Sequence, residues 1–409
     1  MTSTAESAGP GAAPETLRYE DINIPVSGPG EHFARYDALR ARGSAHAATV
    51  HDRDPLLVVT GIGGIRSCLQ DPGTFSSRAV AADEPNPSYM WIPEMVDPPL
   101  HTKWRHLLGP FFAPGAVERL KPRVHEVINE ILDDVADRGH CDYVADVALR
   151  FPNTVFMELF GLPVPDAAQF QVWETAILHS PPSAGDDSSP ARRAAAMREV
   201  IDYFSQLVTQ RRAHPRDDIL STALGFKIDG EPVSDQDLLS LCLLMFMAGL
   251  DTVAAQLSYS MYHLALHPDD RRRLAADPAL WPSAIEEFLR YYAFVSPGRK
   301  VTKDTEVEGC PVEAGQMVFL PLASANRDET EFPEPDQVKI DRQNNRHLAF
   351  GAGPHRCLGS HLARQELLIG LTAWHQRIPD YRLDPGVAVT EHGRQVGLNN
   401  LPLAWDVQS

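Results

Sequence analysis

"HLAFGAGPHRCLGSHLAR", residues 347–364, carries one of the chain's five cysteines. Gly351, Gly353 and Gly359 strip side chains from around Cys357, so backbone can approach something flat and large and turn its N–H groups toward the sulfur. The run "GSHLARQELLIGL" (359–371) then continues as a helix whose N-terminal end faces the cysteine, where exposed N–H groups and the helix dipole favour a thiolate. A thiolate held in this way is a metal ligand. The residue types leave three readings open: a buried structural cysteine, a zinc site from His347, His355, Cys357 and His361, and an axial ligand to heme iron. The zinc donors lack the paired spacing of such sites.

The rest of the chain narrows the choice. Its 409 residues are 43% apolar and 22% charged, the composition of an ordinary globular protein with a large core. Thirty-seven basic residues against 55 acidic ones leave a net charge of −18, which argues against nucleic acid or an anionic membrane as partner. Cys68, Cys141, Cys242, Cys310 and Cys357 are odd in number, scattered and never in C-x-x-C spacing, so a reducing, cytoplasmic setting is expected. "MTSTAESAGPGAAPET" lacks basic residues and an apolar core; residues 1–17 read as a disordered lead-in and 18–409 as a single domain, with a monomer expected.

The most apolar run, "LLSLCLLMFMAGL" (238–250), is too short to span a bilayer and is ended by Asp251. Ser234 with Asp237 resembles a capping box and Pro268 a stop, which predicts a long buried helix over 234–267. Amphipathic helices are expected near 31–43, 101–108, 115–138, 142–160, 166–179, 190–213, 279–292 and 358–377, and strands near 56–60, 301–309 and 316–322. The fold class is therefore mainly α with small β-sheets. "SPPSAGDDSSPARR" (180–193) reads as a loop able to act as a lid.

Phe350, Gly351, Gly353, His355, Cys357 and Gly359 spell F-G-x-G-x-H-x-C-x-G, which resembles the heme-binding signature of the cytochrome P-450 family at every fixed position. Further segments follow in the family's order. Glu287 and Arg290 in "EEFLR", three apart on one helix face, resemble its E-x-x-R pair, completed by Arg342. "DPPLHTKWR" (97–105) is similar to the segment that meets the heme propionates; the resemblance assigns that role to His101 and Arg105, joined by Arg299 and His355. "AGLDT" (248–252) has the form of the oxygen-activating motif: Ala248 and Gly249 leave room, and Asp251 with Thr252 carries protons. From its residues alone, Thr252 could equally bond back to the carbonyl four residues earlier. "SYMWIPEMVDPP" (88–99) is similar to the substrate-contacting segment of the camphor-hydroxylating members, with Tyr89 as hydrogen-bond donor; Trp91, Leu244, Met247, Val295 and Val396 are the further pocket candidates.

The resemblance implies the cytochrome P-450 fold, a triangular helical body with its long helix across heme b, and Cys357 as axial thiolate. It implies a monooxygenase that inserts one atom of O2 into a C–H bond of a hydrophobic small molecule, a terpenoid or specialised metabolite. No flavin or ferredoxin segment is evident, so electrons are expected from a separate ferredoxin and NAD(P)H-dependent reductase. An acidic ferredoxin would need a local basic face, for which Lys103, Arg356, Lys121 and Arg123 are the candidates. A peroxide-driven peroxygenase and a non-enzymatic heme sensor are the rival readings.

Overall fold

In the computed structural model, residues 17–23, 28–179, 188–393 and 396–407 are described. The long helix predicted from the capping box spans Asp235–Leu266. Ser234 Oγ accepts from the Asp237 N–H at 3.1 Å and donates to the Asp237 carboxylate at 2.8 Å, closing the box. At about 1.5 Å per residue this helix is about 48 Å long. It is long and apolar enough to cross a membrane, yet most of its strongest apolar window is buried inside the protein, as in a core helix. It packs against Arg150–Phe160 on one side and Ser360–Arg377 on the other.

A six-stranded sheet forms the second part of the body, in the order Leu17–Arg18, Ala45–Val50, Asp54–Val59, Met317–Phe319, Gly298–Val301, Phe75–Ser76. Asp54–Val59 is antiparallel to Ala45–Val50 and parallel to Met317–Phe319, with Leu57 opposite Val318. Arg299 stands opposite Val318 from the other side, on the strand Gly298–Val301. The remaining sheets have two or three strands. Helices thus dominate and the sheets are small, as the sequence predicts.

Several expectations change in detail. Leu17, assigned to the lead-in, pairs with Ala48 in the edge strand; residues 1–16 lie outside the described residues. Of the expected 180–193 loop, 180–187 lie outside the described residues, and 188–193 open the helix Ser188–Ala213. The helices expected over 142–160 and 166–179 contain wide π turns at Val144–Ala148 and Thr175–His179. Ile62–Gln70 is a helix although Gly63 and Gly64 weaken its propensity, because Ile62, Ile65, Cys68 and Leu69 are buried in the apolar cluster beneath the sheet.

Candidate active site

The cysteine loop is built by its own backbone. The Gly351 N–H donates to Leu348 O at 2.7 Å, Arg356 N–H to Gly353 O at 3.1 Å, and Cys357 N–H to Phe350 O at 2.8 Å, folding the segment into a tight bulge. Gly353 sits at φ +68°, and a Cβ there would meet the Leu69 carbonyl at 2.3 Å, so no larger residue fits. Outside the loop, Arg364 lies 4.5 Å over the Phe350 ring and pairs with Glu286, which also receives His347 at 3.1 Å. Cys357 opens onto a cavity and the helix Ser360–Arg377 starts directly behind it. Burial raises the thiol's pKa, while the Gly359 backbone N–H and the charges of Arg105 and Arg356 pull the other way. Burial, helped by the charge of Glu94, wins, so the helix end and basic neighbours do not by themselves make the thiolate the sequence leads one to expect; a metal cation bound at the sulfur would favour it.

The cavity has a volume of about 480 Å³ and lies between this loop and the central helix, with Ala248, Gly249 and Thr252 on the facing wall. Gly249 is needed there, since a Cβ would come within 2.3 Å of the Phe156 ring. Thr252 Oγ donates to Ala248 O at 3.1 Å, the back-bond its residue type allows. Asp251, next to Thr252, is buried and is not among the residues that line the cavity. At the opposite edge His101, Arg105, Arg299 and His355 all line the cavity. His101 Nδ1 and both ring nitrogens of His355 are buried without a hydrogen-bond partner. Burial and then Arg105 hold His101 down at about 4, and burial and then His101 hold His355 at about 2, so both imidazoles are neutral. Arg299 is buried with a lowered pKa for the same desolvation reason. The N–H of each orphaned imidazole and the guanidinium groups of Arg105 and Arg299 need acceptors, which the two propionates of a heme would supply, with Cys357 as the metal's ligand: the residues fit that group. Among the described residues no three His, Cys, Asp or Glu side chains converge as a metal cage, so the zinc reading has no support.

Glu287 and Arg290 are fully buried. Arg290 donates to both carboxylate oxygens of Glu287 at 2.8 Å, and Arg342 Nε reaches them at 3.0 and 2.8 Å. Arg290 also donates to the carbonyls of Asn326, Pro335 and Gln337, tying its helix to the strand of chain that leads into the cysteine loop. The sequence-predicted network is present.

Of the pocket candidates, Tyr89, Trp91, Leu244, Met247 and Val295 line the cavity. Val396 does not: it is buried in the main core, because the strand Gly397–Leu398 after it turns inward against the central helix. Tyr89 donates to Glu84 at 2.6 Å, so its proton is already engaged and it offers a substrate only acceptor capacity. The basic face is also largely neutralised. Lys103 pairs with Asp229, Lys121 with Glu118, and Arg123 with Glu158, Glu126 and Glu130; Arg356 makes no ion pair among the described residues. Three acids were not anticipated. Glu366 lines the cavity, pushed up to about 8 by burial. Glu174 is buried and lifted well above the usual range by burial and by the charge of Asp251. Glu94 faces the cavity from the 88–99 segment.

The chain matches the family model for cytochrome P450 over residues 50–277 and 279–378. It is 36% identical over 397 residues to the probable cytochrome P450 127A1 of Sinorhizobium fredii, covering 91% of this chain and 94% of that one. It is 34% identical to the cytochrome P450 monooxygenase PikC of Streptomyces venezuelae, covering 91% of each. Among solved structures, CYP109E1 from Bacillus megaterium in complex with testosterone superposes with a TM-score of 0.85 at 29% identity, over 92% of this chain and 98% of that one. With the cysteine loop, the buried Glu287–Arg290–Arg342 network and the central helix in their family order, the chain belongs to the cytochrome P450 monooxygenases, which bind heme b through a cysteine thiolate.

Proposed function

We propose that Cys357 is the axial thiolate and that this chain hydroxylates a small to medium hydrophobic molecule, with electrons from a separate ferredoxin and its NAD(P)H-dependent reductase. The observation that carries it is the placement of Cys357 across one cavity from Ala248–Thr252, with His101, Arg105, Arg299 and His355 at the rim. Bound heme supplies the O2 activation and the oxidant for a C–H bond. Everything else falls to the side chains. The apolar wall of Leu244, Met247 and Val295 expels water and orients substrate. Thr252 keeps its oxygen lone pairs toward the cavity while its proton rests on Ala248 O, so it can hold a water at that wall. Asp251, one residue earlier and buried, is the carboxyl this route would use, and Glu174, itself lifted well above the usual range by burial and then by the Asp251 charge, lies near it.

The acid-alcohol pair favours the O2-dependent reaction over a peroxide-driven one. Cys310, Cys68 and the other cysteines are all free, in keeping with a cytoplasmic, reducing setting. A specialised metabolite is the substrate class these surroundings support, whereas the terpenoid expectation loses its anchor with the Tyr89 proton committed to Glu84. The test is reconstitution with a ferredoxin and reductase while screening apolar ligands for the low- to high-spin optical shift. Substrate-coupled NAD(P)H consumption with a hydroxylated product supports the reading. Turnover with peroxide alone, or ligand-linked spectra without turnover, overturns it.

A further inference from the structure

We propose that the Asn23 amide is a subsite for a neutral hydroxyl group of the substrate. This rests on the heme reading above and concerns the substrate class of the same site. The short helix Tyr19–Asn23 is a fixed piece of wall. Leu17 and Arg18 before it pair with Ala48 and Thr49, the Arg35 guanidinium donates to Asp21 O at 2.9 Å, and Glu20 accepts from the His51 N–H at 2.7 Å. Tyr19 and Ile22 are buried, with the Tyr19 ring edge-on to Phe319 at 5.2 Å. Asn23 stands four residues after Tyr19 and so shares its helix face, and both residues line the cavity. Asn23 Nδ2 donates to the Tyr19 hydroxyl at 2.5 Å, which fixes the amide. Its Oδ1 is then buried with no hydrogen-bond partner among the described residues.

The chemistry of the ligands decides what meets that oxygen. A substrate that displaces solvent from this wall must replace the hydrogen bond solvent gives, because a buried acceptor left unpaired costs free energy. Heme cannot supply the donor: its ionised propionates only accept, and its other substituents are hydrocarbon. The Ser296 hydroxyl, also on the lining, does not reach it. A carboxylate, ketone or ether on the substrate would only accept and leave the oxygen orphaned. An ammonium would donate, but a neutral amide gives it no counter-charge. A neutral hydroxyl fits. Thr252 belongs to the central helix and Cys357 to its loop, whereas Asn23 belongs to the helix packed on the sheet. The hydroxyl is therefore an anchor and not the position that is oxidised. The lining also includes Leu244, Met247 and Val295, so the fitting substrate is an apolar body with one hydroxyl.

The probes are decan-1-ol and its isomer 1-methoxynonane, an ether of the same length that has no donor. Each is titrated into the holoenzyme by the spin-state shift, in wild type, Asn23→Leu and Asn23→Asp. The ratio of affinities, alcohol over ether, should fall about fivefold from wild type to Asn23→Leu, the size of one neutral hydrogen bond. The ether's affinity should hold, because the leucine keeps the volume. Asn23→Asp keeps an acceptor in the same place and should stay within about twofold of the wild-type ratio. An unchanged ratio in Asn23→Leu, an equal loss of both ligands there, or a ratio that falls as far in Asn23→Asp overturns the proposal. So does a wild type that shows no spin shift with the alcohol. The thiolate-type band of the reduced CO complex is recorded on all three proteins. Its presence with an unchanged ratio refutes the role of Asn23 alone, whereas its absence from wild type refutes the heme reading and the subsite with it.

Discussion

Replacing Glu287 by alanine strands Arg290. In the intact protein the carboxylate accepts from Arg290 and Arg342 at 2.8–3.0 Å, from the Lys339 N–H at 2.8 Å and from Asn345 at 3.1 Å. Arg290 is fully buried, and after the substitution only the carbonyls of Asn326, Pro335 and Gln337 face its charge. An uncompensated buried charge of this kind costs about 3–5 kcal/mol. Against a typical total of about 5–15 kcal/mol, that is enough to deplete the folded protein. Arg342→Ala should cost less, about 1–3 kcal/mol, because it leaves the Glu287–Arg290 pair whole. Urea unfolding followed by far-UV circular dichroism, with the Soret band recorded in parallel, measures both. The account requires Glu287→Ala to lose heme and secondary structure at much lower urea than Arg342→Ala. A Glu287→Ala protein within about 1 kcal/mol of wild type would refute the reasoning that the network holds a buried charge in place.

Thr252→Ala should keep heme and substrate-induced spectra while diverting oxygen to peroxide; fully coupled hydroxylation in that variant would remove Thr252 from the proton route. Gly353→Ala forces a Cβ to 2.3 Å from the Leu69 carbonyl at φ +68°, so the cysteine loop should shift and the purified protein should carry less heme than wild type by pyridine hemochrome assay. Arg356→Glu should slow reduction by ferredoxin and weaken its salt dependence in stopped-flow measurements, whereas charge reversal at the internally paired Lys121 should change the rate little. Glu286 is held at about 2: burial would raise it, but hydrogen bonds and charge from Arg364 and His347 prevail. Because its folded pKa lies below the unfolded one, its stabilising share is whole above about pH 4.5 and lost as pH falls toward 2. The stability difference between wild type and Glu286→Gln should therefore shrink over that window.

What could be read from the sequence was whatever depends on local spacing. The cysteine loop announces itself because glycines at 351, 353 and 359 stand at fixed offsets from one sulfur. The central helix follows from the Ser234–Asp237 box and an apolar run, and the Glu287–Arg290 pair from a three-residue step on one helix face. What could not be read depends on distant partners. Tyr89 looks like a substrate donor until Glu84 is seen to take its proton, and Lys103 looks like a docking cation until Asp229 is found beside it. Glu94 and Glu174 have no motif; only the fold brings one to the cavity and the other to Asp251. Val396 was placed in the pocket by likeness of position, but it precedes the two-residue strand Gly397–Leu398, whose pairing with Glu391–His392 is a distant contact that local periodicity does not fix.

The most direct measurement is the absorption spectrum of the dithionite-reduced protein under carbon monoxide, for wild type and for Cys357→Ser. The account predicts a strongly red-shifted Soret band characteristic of a thiolate opposite carbon monoxide in wild type, and its loss in the serine variant. A wild-type band at the position given by a histidine or neutral thiol ligand, or a serine variant with the wild-type spectrum, would contradict it.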